Sequence, residues 1–301
     1  MKTTKILLIL LLFTLFVQAA ADRSIYRKKY GKENKVALVI GNGHYTHFSP
    51  LKNTLNDAED MRKILKSKGF DVLYLPDGDL RSMERIVRVF SGKLKQGGVG
   101  FFYYAGHGIE VDHKNYLIPV GSEIPKKDEV KYEALPVDMV IDKMESAKNR
   151  LNIIVLDACR NDPFSRGGGG LAQINNAKGM YVAFATAPGE VASDGGVGKN
   201  GLFTKYLVRY IDQPNLTLDQ IFNKTRISVY EESSEKQLPW TSSSVMGEFY
   251  FQPGGSAAAN ISSRKTNNIK LIHFSHPKKE PRGLYIAQIK VNDIEKRYRI
   301  Y

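Results

Sequence analysis

The stretch that decides the fold is an apolar run that ends in a cysteine, Asn152-Ile153-Ile154-Val155-Leu156-Asp157-Ala158-Cys159-Arg160-Asn161. A short run of this kind is typical of a strand buried on both faces of a sheet. Cys159 is the only cysteine of the chain. A second run, Val99-Gly100-Phe101-Phe102-Tyr103-Tyr104, ends similarly in Ala105-Gly106-His107-Gly108 and places a histidine 52 residues before the cysteine. The two runs predict two strands of one parallel sheet, each followed by a reactive side chain.

Parallel strands open into a crevice at their carboxyl ends, where open α/β sheets bind ligands. A thiol is strongly nucleophilic only as the thiolate, and a nearby imidazole can take its proton and later return it to a leaving amine. Each residue also has a simpler explanation: a free cysteine is often a small buried hydrophobe, and a lone histidine is often a hydrogen-bonded structural residue. The joint pattern favours a catalytic pair of Cys159 and His107.

Strands and helices alternate along the chain. Strands are predicted at residues 36–40, 71–75, 99–104, 152–156 and 181–185. Helical spacing of apolar residues occurs at 56–68, 80–94, 138–147, 201–211 and 216–232. This alternation predicts an α/β fold with a mainly parallel sheet sandwiched between helices.

Cys159 in Asp157-Ala158-Cys159-Arg160-Asn161, with His107-Gly108 about fifty residues upstream, resembles the caspase pattern. Asp157 stands where caspases carry a glutamine, which is similar to metacaspases, paracaspases and the bacterial orthocaspases. Weaker similarity at residues 36–42, 51–58 and 247–251 extends the resemblance over residues 35–252. It implies a caspase-like cysteine peptidase domain with the caspase sandwich fold.

The predicted chemistry is peptide hydrolysis. Cys159 would attack the carbonyl carbon and His107 would act as general acid and base. The backbone amides of Gly108 and Cys159 would stabilise the oxyanion. The sequence identifies no third catalytic acid. A non-catalytic scaffold or envelope-binding protein that retains the domain is the alternative, and it would keep its phenotype after Cys159→Ala.

Three acidic residues bear on specificity: Asp57, Asp157 and Asp194. By similarity to metacaspases and paracaspases, they would line the pocket for the residue before the scissile bond. A ring of carboxylates binds an arginine guanidinium through paired hydrogen bonds, and lysine less specifically. The resemblance thus implies peptide or protein substrates cut after Arg or Lys. Asp57 could instead be a helix N-terminal carboxylate, and Asp194 an ordinary loop residue.

The amino terminus has the pattern of a signal peptide. Lys2 and Lys5 precede an apolar stretch at residues 6–17, and Ala19-Ala20-Ala21 follow. Residues 1–21 are interpreted as a signal peptide, with an uncleaved membrane anchor as the alternative, and residues 22–34 as a basic N-terminal arm. The expected location is periplasmic or extracellular. An exported chain with one cysteine has no internal disulfide to rely on, so its stability must come from a packed core.

A glycine-rich loop follows the cysteine strand. Arg166 precedes four glycines, and Lys178 precedes Gly179. Exposed flexible loops are preferred sites of proteolytic nicking, so Arg166 and Lys178 are candidate self-cleavage sites. The loop could also be a simple surface connection.

Residues 253–301 are interpreted as a linker and a basic C-terminal extension. Residues 253–260 are rich in Gly and Ala, and two strands are possible at 269–274 and 284–291 unless the segment is disordered. The formal net charge of the chain is +13. Ten basic and three acidic residues give the extension a charge of +7, which favours an anionic surface as a partner.

The sequence predicts no required cofactor, no metal site and no nucleotide site. Gly41-Asn42-Gly43 follows the first strand but lacks the third glycine of a dinucleotide fingerprint. His44 and His47 have no accompanying Cys or Glu cluster for zinc. Asp77-Gly78-Asp79 lacks the calcium-loop pattern, although regulation by calcium, which occurs in some metacaspases, stays open.

Overall fold

The computed structural model describes residues 33–159, 174, 179–187, 199–253, 285–291 and 294–300. The chain divides into two compact units, Met1–Gln252 and Pro253–Tyr301. The first unit contains the α/β layers, and the second contains a two-stranded sheet.

One twisted sheet organises the first unit. Its strands in the described residues are β1 (Lys35–Gly41), β2 (Asp71–Pro76), β3 (Val99–Val111), β4 (Lys114–Leu117), β5 (Leu135–Pro136), β6 (Leu151–Cys159), β7 (Met180–Phe184) and β8 (Trp240–Ser243). The main order is β2-β1-β3-β6-β7-β8, with every neighbouring pair parallel except β7 and β8. The short strands β4 and β5 continue from the far end of β3 by antiparallel pairing.

Helices cover both faces of this sheet. The α-helices of the described residues are α1 (Thr54–Ser67), α2 (Leu80–Lys93), α3 (Val130–Glu133), α4 (Val137–Ser146), α5 (Leu202–Asp212) and α6 (Leu218–Glu232), of which the one-turn α3 belongs to a separate small cluster. Phe101 and Tyr103 of β3 belong to the core under α1, α5 and α6. Phe102 and Tyr104 belong to the core under α2 and α4. Successive side chains of a strand point to opposite faces, so one apolar run supplies two cores. The mainly parallel sheet sandwiched between helices, predicted from the sequence, is confirmed.

The two central strands are longer than the sequence indicates. The predicted strands ended at residues 104 and 156, whereas β3 continues to Val111 and β6 to Cys159. The placement of His107 and Cys159 beyond the strand ends is therefore wrong in detail, because both lie inside the strands. Glycine and alanine are weak strand formers, and the residues between the apolar runs and the two reactive positions are mostly of this kind. Pairing between β3 and β6 extends both strands across them.

The sequence also misses the short elements, which are β4, β5, α3 and β8. Strand β8 is Trp-Thr-Ser-Ser, with little apolar content. It pairs only with β7 among the described strands, and all four of its residues are partly or fully exposed. An edge strand of this kind lacks the continuous apolar run that identifies a central strand.

The second unit contains β9 (Tyr285–Val291) and β10 (Ile294–Ile300), which pair antiparallel. The predicted strand at 284–291 corresponds to β9, whose partner β10 the sequence did not predict. The predicted strand at 269–274 lies outside the described residues. Residues 1–32, which include the predicted signal peptide and most of the basic arm, also lie outside them. Among the helices that the structure describes, none has the length and apolar character needed to cross a bilayer.

Gly41 at the end of β1 lies against α1, and we expect Gly41→Ala to destabilise the fold. A Cβ atom there would lie 2.5 Å from Ala58 Cβ and 2.9 Å from the Thr54 carbonyl oxygen, both on α1. The overpacking should cost about 1–3 kcal/mol in the free energy of unfolding. The matched control is Gly92→Ala. Gly92 lies on the exposed side of α2, where a Cβ meets no atom within 4 Å, so alanine there should raise the free energy of unfolding by about 0.5–1 kcal/mol. Urea unfolding of both variants measures this, and equal effects would contradict the packing account.

Candidate active site

The pairing of β3 with β6 brings the two reactive positions together. The strands are parallel neighbours, and their register places His107 directly opposite Cys159. Neighbouring strands lie about 4.8 Å apart. The sequence predicts that an imidazole and a thiol share one edge of the sheet, and the backbone places their residues side by side there.

The His107 imidazole is held in one orientation by the loop after β1. Its Nε2 atom lies 2.7 Å from the carbonyl oxygen of Ser49. A carbonyl can only accept a hydrogen bond, so Nε2 carries a proton and Nδ1 is the basic nitrogen of the neutral ring. The ring also packs against Tyr45 and Phe48, with centroid separations of 4.5 and 5.9 Å. The loop therefore fixes both the tautomer and the plane of the histidine.

Two tyrosine hydroxyls hold the His107 backbone. The His107 amide donates to the Tyr45 hydroxyl at 2.9 Å, and the Tyr104 hydroxyl donates to the His107 carbonyl at 2.8 Å. Burial raises the pKa of both phenols above the ordinary value, so both keep their protons. The Tyr45 and Tyr104 oxygens lie 3.2 Å apart, and Gly106 leaves room for them: a Cβ there would lie within 2.6 Å of both.

A buried amide and a carboxylate anchor the same loop. Asn42 is fully buried, donates to the Ile118 carbonyl at 3.0 Å and accepts from the Gly78 amide at 2.9 Å. Asp77 Oδ1 accepts from the amides of Gly43 and His44 at 2.8 and 3.0 Å. Burial alone would raise the pKa of Asp77, but these bonds and the His44 ring outweigh it and lower the pKa. A carboxylate thus fixes the backbone amides at the start of this loop.

Two of the three predicted pocket acids lie near each other. Asp157 in β6 is half-buried, and its Oδ2 accepts from the Thr204 hydroxyl at 2.6 Å. Asp57 in the first turn of α1 is only 3% exposed, and its Oδ1 accepts from the Gly201 amide at 2.8 Å. The Tyr103 hydroxyl lies 3.3 Å from Asp157 Oδ2. Burial, followed by the charges of Asp157 and Asp57, raises the pKa of Tyr103 well above its usual value.

The remaining predicted residues are only partly described. Asp194, Arg166 and Lys178 lie outside the described residues, as does the side chain of Cys159. Gly108 follows His107 in β3 and is the register partner of Leu117 in β4. Within the described part of the chain, no group of three or more His, Cys, Asp or Glu residues could hold a metal ion.

Sequence reasoning misses several residues that hold His107, Asp57 and Asp157 in place. They are Ser49, Tyr45, Tyr104, Gly201 and Thr204. Ser49 acts through its carbonyl oxygen, which no side-chain pattern reveals. Thr204 and Gly201 are about 45 residues beyond Asp157, and only the packing of α5 brings them to the sheet edge. The sequence predicts Tyr104 as a strand residue, but nothing in the pattern indicates that its hydroxyl binds the His107 backbone.

Comparison with known proteins is consistent with this geometry. The Caspase domain family profile (peptidase C14) matches residues 34–250. The chain is 30% identical to the human mucosa-associated lymphoid tissue lymphoma translocation protein 1 over 202 residues, which is 63% of this chain and 23% of that protein. A protein named as a probable protease in a Desulfuromonadales bacterium is 26% identical over 155 residues, which is 42% of this chain and 18% of its own length. This chain therefore spans less than a quarter of these relatives.

A solved structure shares the fold. Caspase-1 from Spodoptera frugiperda superposes with a TM-score of 0.57 at 15% identity, covering 74% of this chain and 93% of that structure. The family profile over residues 34–250 shows that the chain belongs to the caspase-domain family of cysteine peptidases.

Proposed function

We propose that this protein is an exported endopeptidase in which Cys159 and His107 hydrolyse peptide bonds after Arg or Lys. The observation that carries the proposal is the register of β3 and β6, in which His107 lies opposite Cys159. The caspase-domain match supplies the reaction class. Calcium regulation is not part of the proposal, and the hydrolysis itself needs no cofactor.

The mechanism follows from the orientation of His107. The Cys159 thiol gives its proton to Nδ1 of His107, and the thiolate attacks the carbonyl carbon of the scissile bond. The imidazolium then donates its proton to the leaving amine as the C–N bond breaks, which leaves an acyl-enzyme that water hydrolyses. The Ser49 carbonyl accepts a hydrogen bond from Nε2–H throughout and favours the charged ring, so a backbone group performs the role of a third catalytic residue.

The oxyanion of the tetrahedral intermediate needs hydrogen-bond donors. We assign this role to the backbone amides of Gly108 and Cys159, which belong to the same two strands as the catalytic pair. Loss of one such donor costs about 3 kcal/mol in comparable hydrolases. Because both donors are backbone groups, the pairing of β3 and β6 fixes their position.

Pocket specificity is supported by the neighbouring carboxylates of Asp57 and Asp157. A guanidinium pairs with carboxylates through two parallel charge-assisted hydrogen bonds, and an ammonium ion is attracted as a point charge. An acidic side chain before the cut would meet like charges. Asp57 is nearly buried, so in this arrangement Asp157 is the more accessible of the two, and Asp194 would complete the pocket.

Export is proposed from the sequence of residues 1–21, a basic head, an apolar stretch and three alanines. Cleavage after Ala21 would place Asp22 at the mature amino terminus and remove Lys2 and Lys5, which leaves a formal net charge of +11.

Removal of either member of the catalytic pair should abolish turnover. We expect Cys159→Ala and His107→Ala each to lower kcat/KM for a fluorogenic arginyl peptide by about 10³-fold or more, and the double variant to be little worse because the two residues act as a unit. Circular dichroism should show the native fold in each variant. Retention of more than a few per cent of wild-type turnover by purified Cys159→Ala would disprove the assignment.

Turnover should also be sensitive to substitution of Gly106, the residue before His107. Gly106→Ala would push on the hydroxyls of Tyr45 and Tyr104, which hold the His107 backbone. We expect kcat to fall by about 100-fold or more, since a displacement of about 1 Å can cost this much. Gly92→Ala, on the exposed side of α2, is the matched control with unchanged kcat. If Gly106→Ala folds and keeps wild-type kcat, the tyrosines do not position the histidine.

The proposed pocket predicts a charge preference. Peptides with Arg or Lys before the cut should be hydrolysed, and the corresponding Asp peptides should not. Asp157→Asn should lower kcat/KM for the arginyl peptide by about tenfold or more, since a hydrogen bond between charged groups contributes about 1.5–3 kcal/mol. Asp142→Asn, an exposed acid on α4, should leave the value unchanged. A preference of the wild type for Asp peptides would refute the pocket.

Self-processing follows from this specificity and from the glycine-rich loop. We expect cleavage between Arg166 and Gly179 in the active protein and none in Cys159→Ala. Intact-mass spectrometry of the protein, expressed with residues 1–21 in a host that can export it, measures both this cleavage and the position of the mature amino terminus. An active wild type that stays whole on prolonged incubation, or equal nicking of both proteins, would contradict self-processing, and retention of residues 1–21 would contradict signal cleavage.

A further inference from the structure

The start of α5 contacts both described carboxylates of the proposed pocket. Gly201, the residue before the helix, donates its amide to Asp57. Thr204, within the first turn, donates its hydroxyl to Asp157 Oδ2 at 2.6 Å. A Cβ at position 201 would lie 3.0 Å from Asp57 Oδ2, so glycine leaves that carboxylate undisturbed. One helical turn thus fixes two acids that are 100 residues apart in the chain.

The hydroxyl of Tyr103 lies next to both Thr204 and Asp157. The Tyr103 hydroxyl lies 2.6 Å from Thr204 Oγ1 and 3.3 Å from Asp157 Oδ2. Each hydroxyl has one proton to donate. The short distances are satisfied together when Tyr103 donates to Thr204 and Thr204 donates to Asp157. The result is a directed chain from a phenol, through a threonine, to a carboxylate.

This chain is shielded from water. Tyr103 and Thr204 are both fully buried. Burial and the charges of Asp157 and Asp57 raise the pKa of Tyr103 well above its ordinary value, so the phenol remains a donor. Hydrogen bonds in a chain polarise one another, and burial strengthens them further. The orientation of the Asp157 carboxylate is therefore set by buried groups that do not themselves reach the substrate.

We infer that Thr204 and Tyr103 are positioning residues that make the pocket prefer arginine to lysine by fixing the plane of the Asp157 carboxylate. The inference rests on the proposed cleavage after basic residues. A guanidinium needs a carboxylate in a fixed plane for two parallel hydrogen bonds, whereas an ammonium ion tolerates a rotated one. Loss of the hydroxyl chain should therefore weaken arginine substrates more than lysine substrates.

The test compares two peptides that differ only in Arg or Lys before the cut. Thr204→Val and Tyr103→Phe should each raise KM for the arginyl peptide about tenfold, with kcat within about threefold, because the lost interaction is made equally in the ground and transition states. KM for the lysyl peptide should change by less than about threefold. The ratio of kcat/KM for Arg over Lys then falls, and Thr204→Ser, which retains the hydroxyl, should restore it.

Thr225→Val is the matched control. Thr225 is a fully buried threonine on α6 whose hydroxyl donates to the Ile221 carbonyl at 2.9 Å, and its loss should leave the Arg to Lys ratio unchanged. Should Thr204→Val fail to fold, Tyr103→Phe, which removes a single oxygen atom, decides the question.

The outcomes separate the two proposals. Variants that keep the wild-type ratio, or a wild type with no preference for arginine over lysine, overturn the positioning role and leave cleavage after basic residues standing. A wild type that cleaves after neither Arg nor Lys overturns both. A fall in the ratio in Thr225→Val equal to that in Thr204→Val shows a general packing effect and also overturns the positioning role.

Discussion

Nine register pairs join β3 to β6, from Val99 opposite Leu151 to His107 opposite Cys159. The first six lie in the apolar runs, whose side chains pack under the helices on both faces of the sheet. Phe101 and Tyr103 lie on one face, and Phe102 and Tyr104 lie on the other. A slip of one residue would exchange the two faces. Because both faces are buried, the core fixes this register. His107 and Cys159, the last pair, are then aligned by the packing of the six pairs that precede them in the two strands.

The surroundings of His107 show how a reactive side chain is held within such a strand. A buried polar group is costly unless it is hydrogen-bonded. Asn42 and Tyr45, in the loop after β1, both reach the Ile118 carbonyl just after β4, and Tyr104 reaches the His107 carbonyl. The same loop presents the Ser49 carbonyl to the imidazole. The network that stabilises the loop and the contacts that orient the histidine therefore share residues. A substitution such as Gly106→Ala acts on both.

The apolar runs 99–104 and 152–156 are sufficient to predict the two central strands and that the histidine and cysteine share one edge of the sheet, because buried parallel strands have a strong and short-range signal. The extensions to Val111 and Cys159 were not predictable, since small residues enter a strand only when a neighbour pairs with them. Ser49 acts through its backbone, and Thr204 reaches Asp157 only through the packing of α5. Contacts of this kind depend on tertiary structure and leave no local pattern. The roles of Cys159, His107 and the pocket acids remain predictions.

The most direct measurement is the rate at which an arginyl peptide chloromethyl ketone alkylates Cys159 with loss of chloride, followed by mass spectrometry, in the wild type and in His107→Ala. A histidine opposite the cysteine should generate the thiolate. The account predicts stoichiometric labelling of Cys159 in the wild type and labelling at least about 100-fold slower in the variant. Equal rates in the two proteins, or full peptidase activity after complete labelling of Cys159, would contradict it.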